Sequence, residues 1–264
     1  MNGAPGPLLV ALLALGLLIG SFLNVVIHRV PLGLSILRPA SACPACSAPV
    51  RTYDNVPVLS WLVLRGHCRD CAAPISWHYP AVEATTGALF VGAGIRFGWT
   101  PYLAVALVVL AAGTALFFID LEHRRLPFAI TGLTAAATTV ALSADVVVNG
   151  ASPLVIALLS TAAWLAVYGG IWVATSGRGM GLGDVVLAPV LGLALGWLGW
   201  GATLVGLLSG FMVGALVGIV LMSTGRAGRK SKVPHGPFLL TGAALGLFVG
   251  QPVWNSYLNL VGLA

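Results

Sequence analysis

Long stretches without charged side chains constrain the fold of this chain more than any other feature. Only 8% of its 264 residues are charged and 58% are hydrophobic, whereas a soluble domain carries about 25% charged residues. So few charges cannot cover a soluble fold of this size, and the apolar runs suit helices that cross a bilayer. The sequence therefore predicts an all-α fold, a polytopic membrane helix bundle of about eight transmembrane helices. We place them at residues 8–27, 81–97, 101–119, 128–148, 153–174, 185–199, 202–222 and 237–251.

The positions of the Lys and Arg residues predict how these helices are oriented. In this arrangement every Lys and Arg except Arg96 falls on one side, which the positive-inside rule makes the cytoplasmic side. The formal net charge of +6 is therefore explained by topology, and we expect no nucleic-acid partner. The basic segment 225–237 is expected to contact anionic membrane lipids. No Lys or Arg precedes the first apolar run, which favours a first helix over a cleavable signal peptide.

A polar segment with four cysteines interrupts the apolar pattern between residues 38 and 80. The cysteines form two C-x-x-C pairs, and the gap between the pairs is close to the usual zinc-ribbon spacing. Four thiolates complete the tetrahedral shell of a zinc ion and leave no position for water, so we expect a structural metal. Two disulfides are the alternative, but the predicted cytoplasmic location keeps thiols reduced. The expected ligands are Cys43, Cys46, Cys68 and Cys71.

Two carboxylates stand at the edges of apolar runs, where a charge is costly and needs a reason. Asp120 ends the run LVVLAAGTALFFID, and Asp184 opens another in the stretch GMGLGDVVL. Asp120 alone is equally compatible with an interfacial carboxylate and a site residue, but two such residues suggest a shared site. The glycines before Asp184 are not part of a Walker loop and follow no predicted strand. Close approach of an extended chain or another helix explains them better.

Other polar and aromatic residues in the apolar segments are ambiguous. Glu83, one turn inside the second predicted helix, is either a carboxylate stabilised by the helix dipole or a group that faces the site. Asp145 lies near a predicted outer loop, where we expect it to be solvated. Tyr168 is explained most simply by packing or by a membrane interface. His123 is the only histidine adjacent in sequence to either aspartate region.

A pair of carboxyl groups is suited to the hydrolysis of a peptide bond. One ionised carboxylate takes a proton from water while one protonated carboxyl polarises the carbonyl, and two acids held close together share the required proton. A transporter with a proton relay is an alternative, but it favours carboxylates near the middle of the bilayer and an internal repeat. A membrane scaffold without catalysis, which keeps the zinc loop for partner binding, is the other alternative.

The chain resembles the type IV prepilin peptidases at five motifs that follow the family's order. They are GSFLNVVIHRVP (20–31), SWLVLRGHCRDC (60–71) in the double C-x-x-C loop, WHYPAVE (77–83), FIDLEHRRLP (118–127) and GMGLGD (179–184). The resemblance implies a GxGD-type aspartic endopeptidase in the bacterial inner membrane, with its active site facing the cytoplasm. It implies cleavage of prepilin or pseudopilin leaders after glycine, and methylation of the new amino terminus from S-adenosylmethionine.

The same resemblance divides the chain and assigns roles to its residues. It implies a first helix with a zinc-binding loop at residues 1–80 and a transmembrane peptidase core at residues 81–264. The residues it implies are Asp120 and Asp184 as the catalytic pair, Gly181, Gly183 and Glu83 as substrate-binding or site-lining residues, and Cys43, Cys46, Cys68 and Cys71 as zinc ligands.

Two positions depart from the family's pattern. Phe128 stands where relatives usually carry aspartate, and Val186 stands where they usually carry lysine. We expect those two residues to pair in relatives, so that the loss of one is compensated by the loss of the other.

Overall fold

A computed structural model describes residues 5–226, 228 and 233–263 of the protein. Within these residues nine α-helices form the fold, and the predicted all-α membrane bundle is confirmed. Each of the eight predicted apolar segments forms one helix, and the ninth is a short helix in the cysteine-rich segment. The helices are α1 (Gly6–Arg29), α2 (Leu59–Val63), α3 (His78–Phe97), α4 (Pro101–His123), α5 (Phe128–Asn149), α6 (Leu154–Ala174), α7 (Leu182–Leu198), α8 (Trp200–Ser223) and α9 (Gly236–Leu260).

Six of the described helices, α1, α4, α5, α6, α8 and α9, are long and apolar enough to cross a membrane. The protein is therefore a multi-pass membrane protein. Helix α7 is apolar but has only 17 residues, and α3 is less apolar because it contains Glu, Thr, His and Arg residues. The basic segment 225–237 lies partly outside the described residues, so its lipid contact stays a prediction.

The chain divides into two compact units, Met1–Trp99 and Thr100–Ala264. The first unit contains α1, the cysteine-rich segment and α3, and the second contains α4 to α9. The functional division after residue 80, which follows from the resemblance, stays a prediction.

In the first unit, a glycine allows α1 and α3 to approach closely. A Cβ atom added to Gly20 would lie 2.6 Å from the Cα of Glu83. Such close backbones make extensive van der Waals contact, which favours helix association inside a membrane. Asn24 fixes the register of the two helices, because its Nδ2 donates a hydrogen bond to the carbonyl oxygen of Tyr79 at 3.2 Å. Glu83 is therefore held against α1.

In the second unit, glycines join α9 to α8 and α7 to α6. Cβ atoms added to Gly242, Gly246 and Gly250 of α9 would each lie within 2.6 Å of a backbone atom of α8. In α7, a Cβ added to Gly196 would lie 2.7 Å from the Cα of Ala157 in α6. These close contacts hold α7 and α9, and with them the first turn of each helix, in a fixed position.

Asp145 is buried rather than solvated, so the prediction for it was wrong. Its Oδ2 accepts a hydrogen bond from the indole N–H of Trp197 at 2.7 Å, and its Oδ1 accepts one from Asn149 at 2.8 Å. Asp145 lies inside α5, as the predicted helix 128–148 implied, but the fold packs it against α7, where Trp197 lies 52 residues further along the chain. The contact joins α5 to the end of α7 that lies far from Asp184.

We expect Asp145→Ala to lower the free energy of unfolding by about 1–3 kcal/mol, because the buried N–H of Trp197 loses its acceptor. The measurement is reversible unfolding of the purified protein in detergent. Ser143→Ala is the matched control, since Ser143 is exposed on the same helix and bonds only to a carbonyl of that helix. Equal stability of the two variants would contradict the structural role of Asp145.

Candidate active site and metal centre

Asp120 lies in the last turn of α4, which ends at His123. Its side chain is only 6% exposed, and its Oδ2 accepts a hydrogen bond from the backbone N–H of Gly236 at 3.1 Å. Gly236 is the first residue of α9, so this N–H is one of the donors that a helix start leaves without an intrahelical acceptor. A Cβ added to Gly236 would lie 2.6 Å from the Asp120 Oδ2. Any side chain at position 236 would therefore displace the Asp120 carboxylate from this position.

Asp184 is the third residue of α7 and is also held at a helix start. It is 5% exposed, and its Oδ2 accepts the backbone N–H of Gly181 at 3.2 Å. The N–H of Asp184 donates in turn to the carbonyl oxygen of Gly181 at 3.2 Å. Gly181 has an ordinary φ of −73°, so its backbone conformation does not require glycine. An added Cβ would lie 3.2 Å from the Asp184 Oδ2, a tight contact that a small shift of the carboxylate would relieve.

Leu126, in the loop between α4 and α5, contacts the starts of both α7 and α9. A Cβ added to Gly183 would lie 2.7 Å from the Cβ of Leu126, and one added to Gly236 would lie 3.3 Å from its Cδ2. The two helix starts therefore meet at one leucine. The two carboxylates lie close enough for the charge of Asp120 to act on Asp184. The fold thus brings together the two aspartates that the sequence singled out.

A cluster of aromatic side chains in the second unit lies near Asp184. The ring of Tyr168 stacks on that of Phe211 with centroids 5.4 Å apart, and it lies 5.8 Å from the ring of His235. The charge of Asp184 acts on the Tyr168 hydroxyl. Burial lowers the pKa of His235, which favours the neutral imidazole.

Sequence reasoning missed the histidine that the fold brings to the aspartates. His123, the histidine adjacent in sequence to Asp120, is exposed. His235 instead directly precedes Gly236, whose N–H binds the Asp120 carboxylate across 116 residues of chain. No local pattern marks His235, since its position beside Asp120 depends entirely on this long-range contact. Tyr168 was missed because its sequence surroundings are those of any buried helix.

Glu83 belongs to the first unit and lines a cavity of about 1130 Å³ there. It is buried, and its Oε2 accepts the backbone N–H of Val58 at 2.6 Å. Val58 has a φ of +61°, which is strained for a β-branched residue and is found chiefly at functional sites. The cavity lies between α1, the cysteine-rich segment and α3, and its lining includes Ser21, Arg29 and Asp54.

The four cysteines form a compact cluster of free thiols. Each C-x-x-C pair forms a tight turn, in which the N–H of Cys43 donates to Ala48 at 2.9 Å and that of Cys68 donates to Ala73 at 2.8 Å. The four sulfur atoms lie within 4.8 Å of one another, and those of Cys43 and Cys71 are 3.8 Å apart. Zinc–sulfur bonds of about 2.3 Å give a tetrahedron with edges of about 3.8 Å. The cluster is therefore compatible with a structural metal site.

Two ion pairs stabilise the segment that carries these cysteines. Arg69 donates to both carboxylate oxygens of Asp54, and Arg51 donates to Asp70 at 2.7 Å. The Arg69 guanidinium lowers the pKa of Asp54, so this pair stays ionised at neutral pH. Both acidic residues of this segment, Asp54 and Asp70, are therefore paired with arginine.

The two positions that depart from the family's pattern lie on the surface. Phe128 begins α5 and Val186 lies in α7, and both side chains are exposed. Because both residues are uncharged, neither position carries a charge that needs a partner.

Two family models match this chain, one for each unit. Residues 14–97 match the bacterial peptidase A24 N-terminal domain, and residues 107–222 match the type IV leader peptidase family. The gap between the two matches contains the boundary between the structural units. Glu83 falls in the first match, and Asp120 and Asp184 fall in the second.

Curated proteins with the name prepilin leader peptidase/N-methyltransferase resemble the chain over most of its length. The protein from Myxococcus xanthus (strain DK1622) is 44% identical over 237 residues, which are 88% of this chain and 69% of that protein. The protein from Legionella pneumophila is 33% identical over 272 residues, which are 92% of each. The protein from Stutzerimonas stutzeri is 32% identical over 284 residues, covering 95% of this chain and 94% of that protein. No solved structure gives a significant match.

We expect Gly183→Ala to lower the free energy of unfolding by about 1–3 kcal/mol, because its Cβ would press on Leu126 and displace the start of α7. Equilibrium unfolding in detergent measures this change. Gly132→Ala is the matched control: Gly132 lies inside α5, an added Cβ there meets nothing within 4 Å, and alanine favours a helix over glycine by about 1 kcal/mol. If both variants were equally stable, the tight contact between Gly183 and Leu126 would be refuted.

Proposed function

The chain belongs to the type IV leader peptidase family, and we propose that it removes the leader of prepilins or pseudopilins by cutting after a glycine. The observation that supports this proposal most is the meeting of two buried carboxylates, Asp120 and Asp184, at the starts of two helices. We propose these two residues as the catalytic pair of an aspartic endopeptidase.

In this mechanism one aspartate is ionised and the other is protonated, because two acids held close together share a proton. The ionised carboxylate takes a proton from a water molecule, whose oxygen adds to the carbonyl carbon of the glycine. The protonated carboxyl gives its proton to the carbonyl oxygen, which yields a tetrahedral diol. One diol proton then returns to the pair as the pair protonates the amide nitrogen, and the C–N bond breaks. The products are a carboxyl terminus on the leader and a free amine on the mature protein.

The backbone contacts of the two aspartates would orient them for these steps. Gly236 holds one oxygen of Asp120, and Gly181 holds one oxygen of Asp184. The Oδ1 of Asp184 is buried and has no partner among the residues that the structure describes, and we assign to it the contact with the water or the substrate. We propose Gly181 and Gly183 as residues that line the site, since a Cβ at either position would crowd Asp184 or Leu126.

The orientation of the site follows from the Lys and Arg distribution. Asp120 lies beside Arg124 and Arg125, and Asp184 follows Arg178. Because Lys and Arg residues concentrate on the cytoplasmic side of a membrane protein, we propose that the site faces the cytoplasm from the bacterial inner membrane. The amino-terminal leader of a prepilin would reach it from that side.

Methylation of the new amino terminus is the second activity that we propose, because the relatives carry N-methyltransferase in their names. The cavity of the first unit is the candidate location. Its volume of about 1130 Å³ is sufficient for a ligand of drug size. S-adenosylmethionine would supply an electrophilic methyl group, and the carboxylate of Glu83 would bind its positive charge and orient it. Glu83 is therefore proposed as a site-lining residue.

We also propose that the four-cysteine cluster holds a structural zinc ion. The four sulfur atoms lie within 4.8 Å of one another, and one pair is 3.8 Å apart, which is compatible with a tetrahedral zinc site. Four thiolates leave no open position for a catalytic water. The ion would fix the fold of the segment that encloses the cavity.

We expect Asp120→Asn and Asp184→Asn each to reduce prepilin cleavage by at least about a thousandfold, because an amide can neither take nor give the required proton. The assay uses the purified full-length protein, a prepilin with a Gly-Phe junction and S-adenosylmethionine. Mass spectrometry reads both the cut and any added methyl group.

Glu122→Gln is the control, because Glu122 is an exposed carboxylate two residues from Asp120 and has no role in the mechanism. It should cleave as the wild type does. All three variants should melt at or above the wild-type temperature. Full processing by both asparagine variants would refute the aspartic mechanism.

We expect the purified protein to contain about one zinc ion per chain, as four thiolates bind one ion. Metal analysis of the wild type and of Cys68→Ser measures this, and the serine variant should lose most of its zinc. His67→Ala should keep its zinc, because the Nδ1 of His67 lies against the carbonyl oxygen of Arg65 at 2.7 Å. A wild-type protein without metal and with two disulfides would contradict the proposal.

A further inference from the structure

Tyr168 carries a polar group that nothing in its surroundings explains. Its side chain is 0% exposed, and its ring is stacked between Trp164 and Phe211, with centroid distances of 5.9 and 5.4 Å. The hydroxyl has no hydrogen-bond partner among the residues that the structure describes. Burial of an unpaired hydroxyl is unfavourable. Phenylalanine would keep the same ring contacts without this cost.

Three further buried polar atoms of this region lack a partner among the described residues. One is the Nε1 of Trp164, whose ring stacks on Tyr168, and the others are the Oδ1 of Asp184 and the Nε2 of His235. The ring of His235 lies 5.8 Å from that of Tyr168, and the charge of Asp184 acts on the Tyr168 hydroxyl. His235 precedes Gly236, whose N–H binds Asp120. The unpaired atoms of Tyr168, Asp184 and His235 therefore lie beside the aspartate pair.

Unpaired buried polar atoms are rare in folded proteins, and each one requires an explanation. Those of Tyr168, Asp184 and His235 come from three separate elements, and packing alone does not explain why they converge. A polar ligand would satisfy them together. A peptide group carries both a donor and an acceptor, and it is the ligand that a peptidase places beside its catalytic carboxylates.

We propose that the Tyr168 hydroxyl binds the peptide bond that is cleaved and donates a hydrogen bond to its carbonyl oxygen. This inference rests on the proposed peptidase function. A phenol keeps its proton at neutral pH, so Tyr168 can only donate to this oxygen. Negative charge grows on the oxygen as water adds to the carbonyl carbon, and the hydrogen bond becomes stronger in the transition state than in the bound substrate. Tyr168 would therefore act on kcat more than on KM.

The test is Tyr168→Phe in the full-length protein, assayed with a prepilin substrate. We expect kcat to fall about 10- to 1000-fold, as for the loss of one donor to a developing oxyanion, while KM changes little. The pH profile of kcat should keep its shape, since the two aspartates still titrate as a pair. The melting temperature should be unchanged or higher, because the variant removes an unpaired buried hydroxyl.

Tyr102→Phe is the matched control within the same unit. Tyr102 is also buried, but its hydroxyl donates to the carbonyl oxygen of Ala194 at 2.6 Å. This variant should melt at a lower temperature and keep the wild-type kcat, which is the reverse of the pattern expected for Tyr168→Phe.

Three outcomes would overturn the inference. They are a wild-type kcat in Tyr168→Phe, a fall in kcat that follows a fall in melting temperature, and a shifted pH profile with an unchanged maximal rate. The last would mean that Tyr168 acts through Asp184 rather than on the substrate. If the wild type cleaves and the aspartate variants do not, failure of Tyr168→Phe to slow cleavage removes this inference and leaves the peptidase function intact. If the wild type itself does not cleave, both fall.

Discussion

The starts of two helices hold two carboxylates in an apolar protein, and the candidate site depends on these contacts. A carboxylate among membrane helices is costly, and backbone N–H groups at a helix start offset that cost because they have no intrahelical acceptor. Asp120 receives this N–H from Gly236 at the start of α9, and Asp184 receives it from Gly181 just before α7. Two residues that are distant in sequence thereby each accept a backbone N–H from a helix start, and Leu126 contacts both helix starts.

Close backbone contacts explain how the helix starts are kept in place. The hydrophobic effect does not drive helices together inside a membrane, so their association depends on van der Waals contact between small residues. Gly242, Gly246 and Gly250 join α9 to α8, and Gly196 joins α7 to α6. At the far end of α7, Trp197 bonds to the buried Asp145 of α5. The helix that carries Asp184 is thus fixed at both ends. Catalysis by a carboxylate pair needs such rigidity, because small displacements of the reacting groups lower the reaction rate strongly.

The sequence predicts well what depends on local composition and poorly what depends on contacts between distant segments. All eight apolar segments became helices because uninterrupted hydrophobic residues have one stable arrangement in a bilayer. The four cysteines, Asp120 and Asp184 were found because each stands out against its neighbours. Asp145 was misjudged because the residue that binds it, Trp197, is 52 residues away in sequence. Gly236, His235 and Tyr168 gave no local signal, since only the fold places them beside the two aspartates.

We propose that Asp120 and Asp184 act on one peptide bond, and a structure with an uncleavable substrate tests this most directly. The substrate would be a prepilin peptide in which a hydroxyl-bearing isostere replaces the bond after glycine. We expect this hydroxyl to lie about 3 Å from a carboxylate oxygen of Asp120 and from one of Asp184, which is hydrogen-bonding distance to both. A bound isostere whose hydroxyl contacts one of these residues or neither would contradict it.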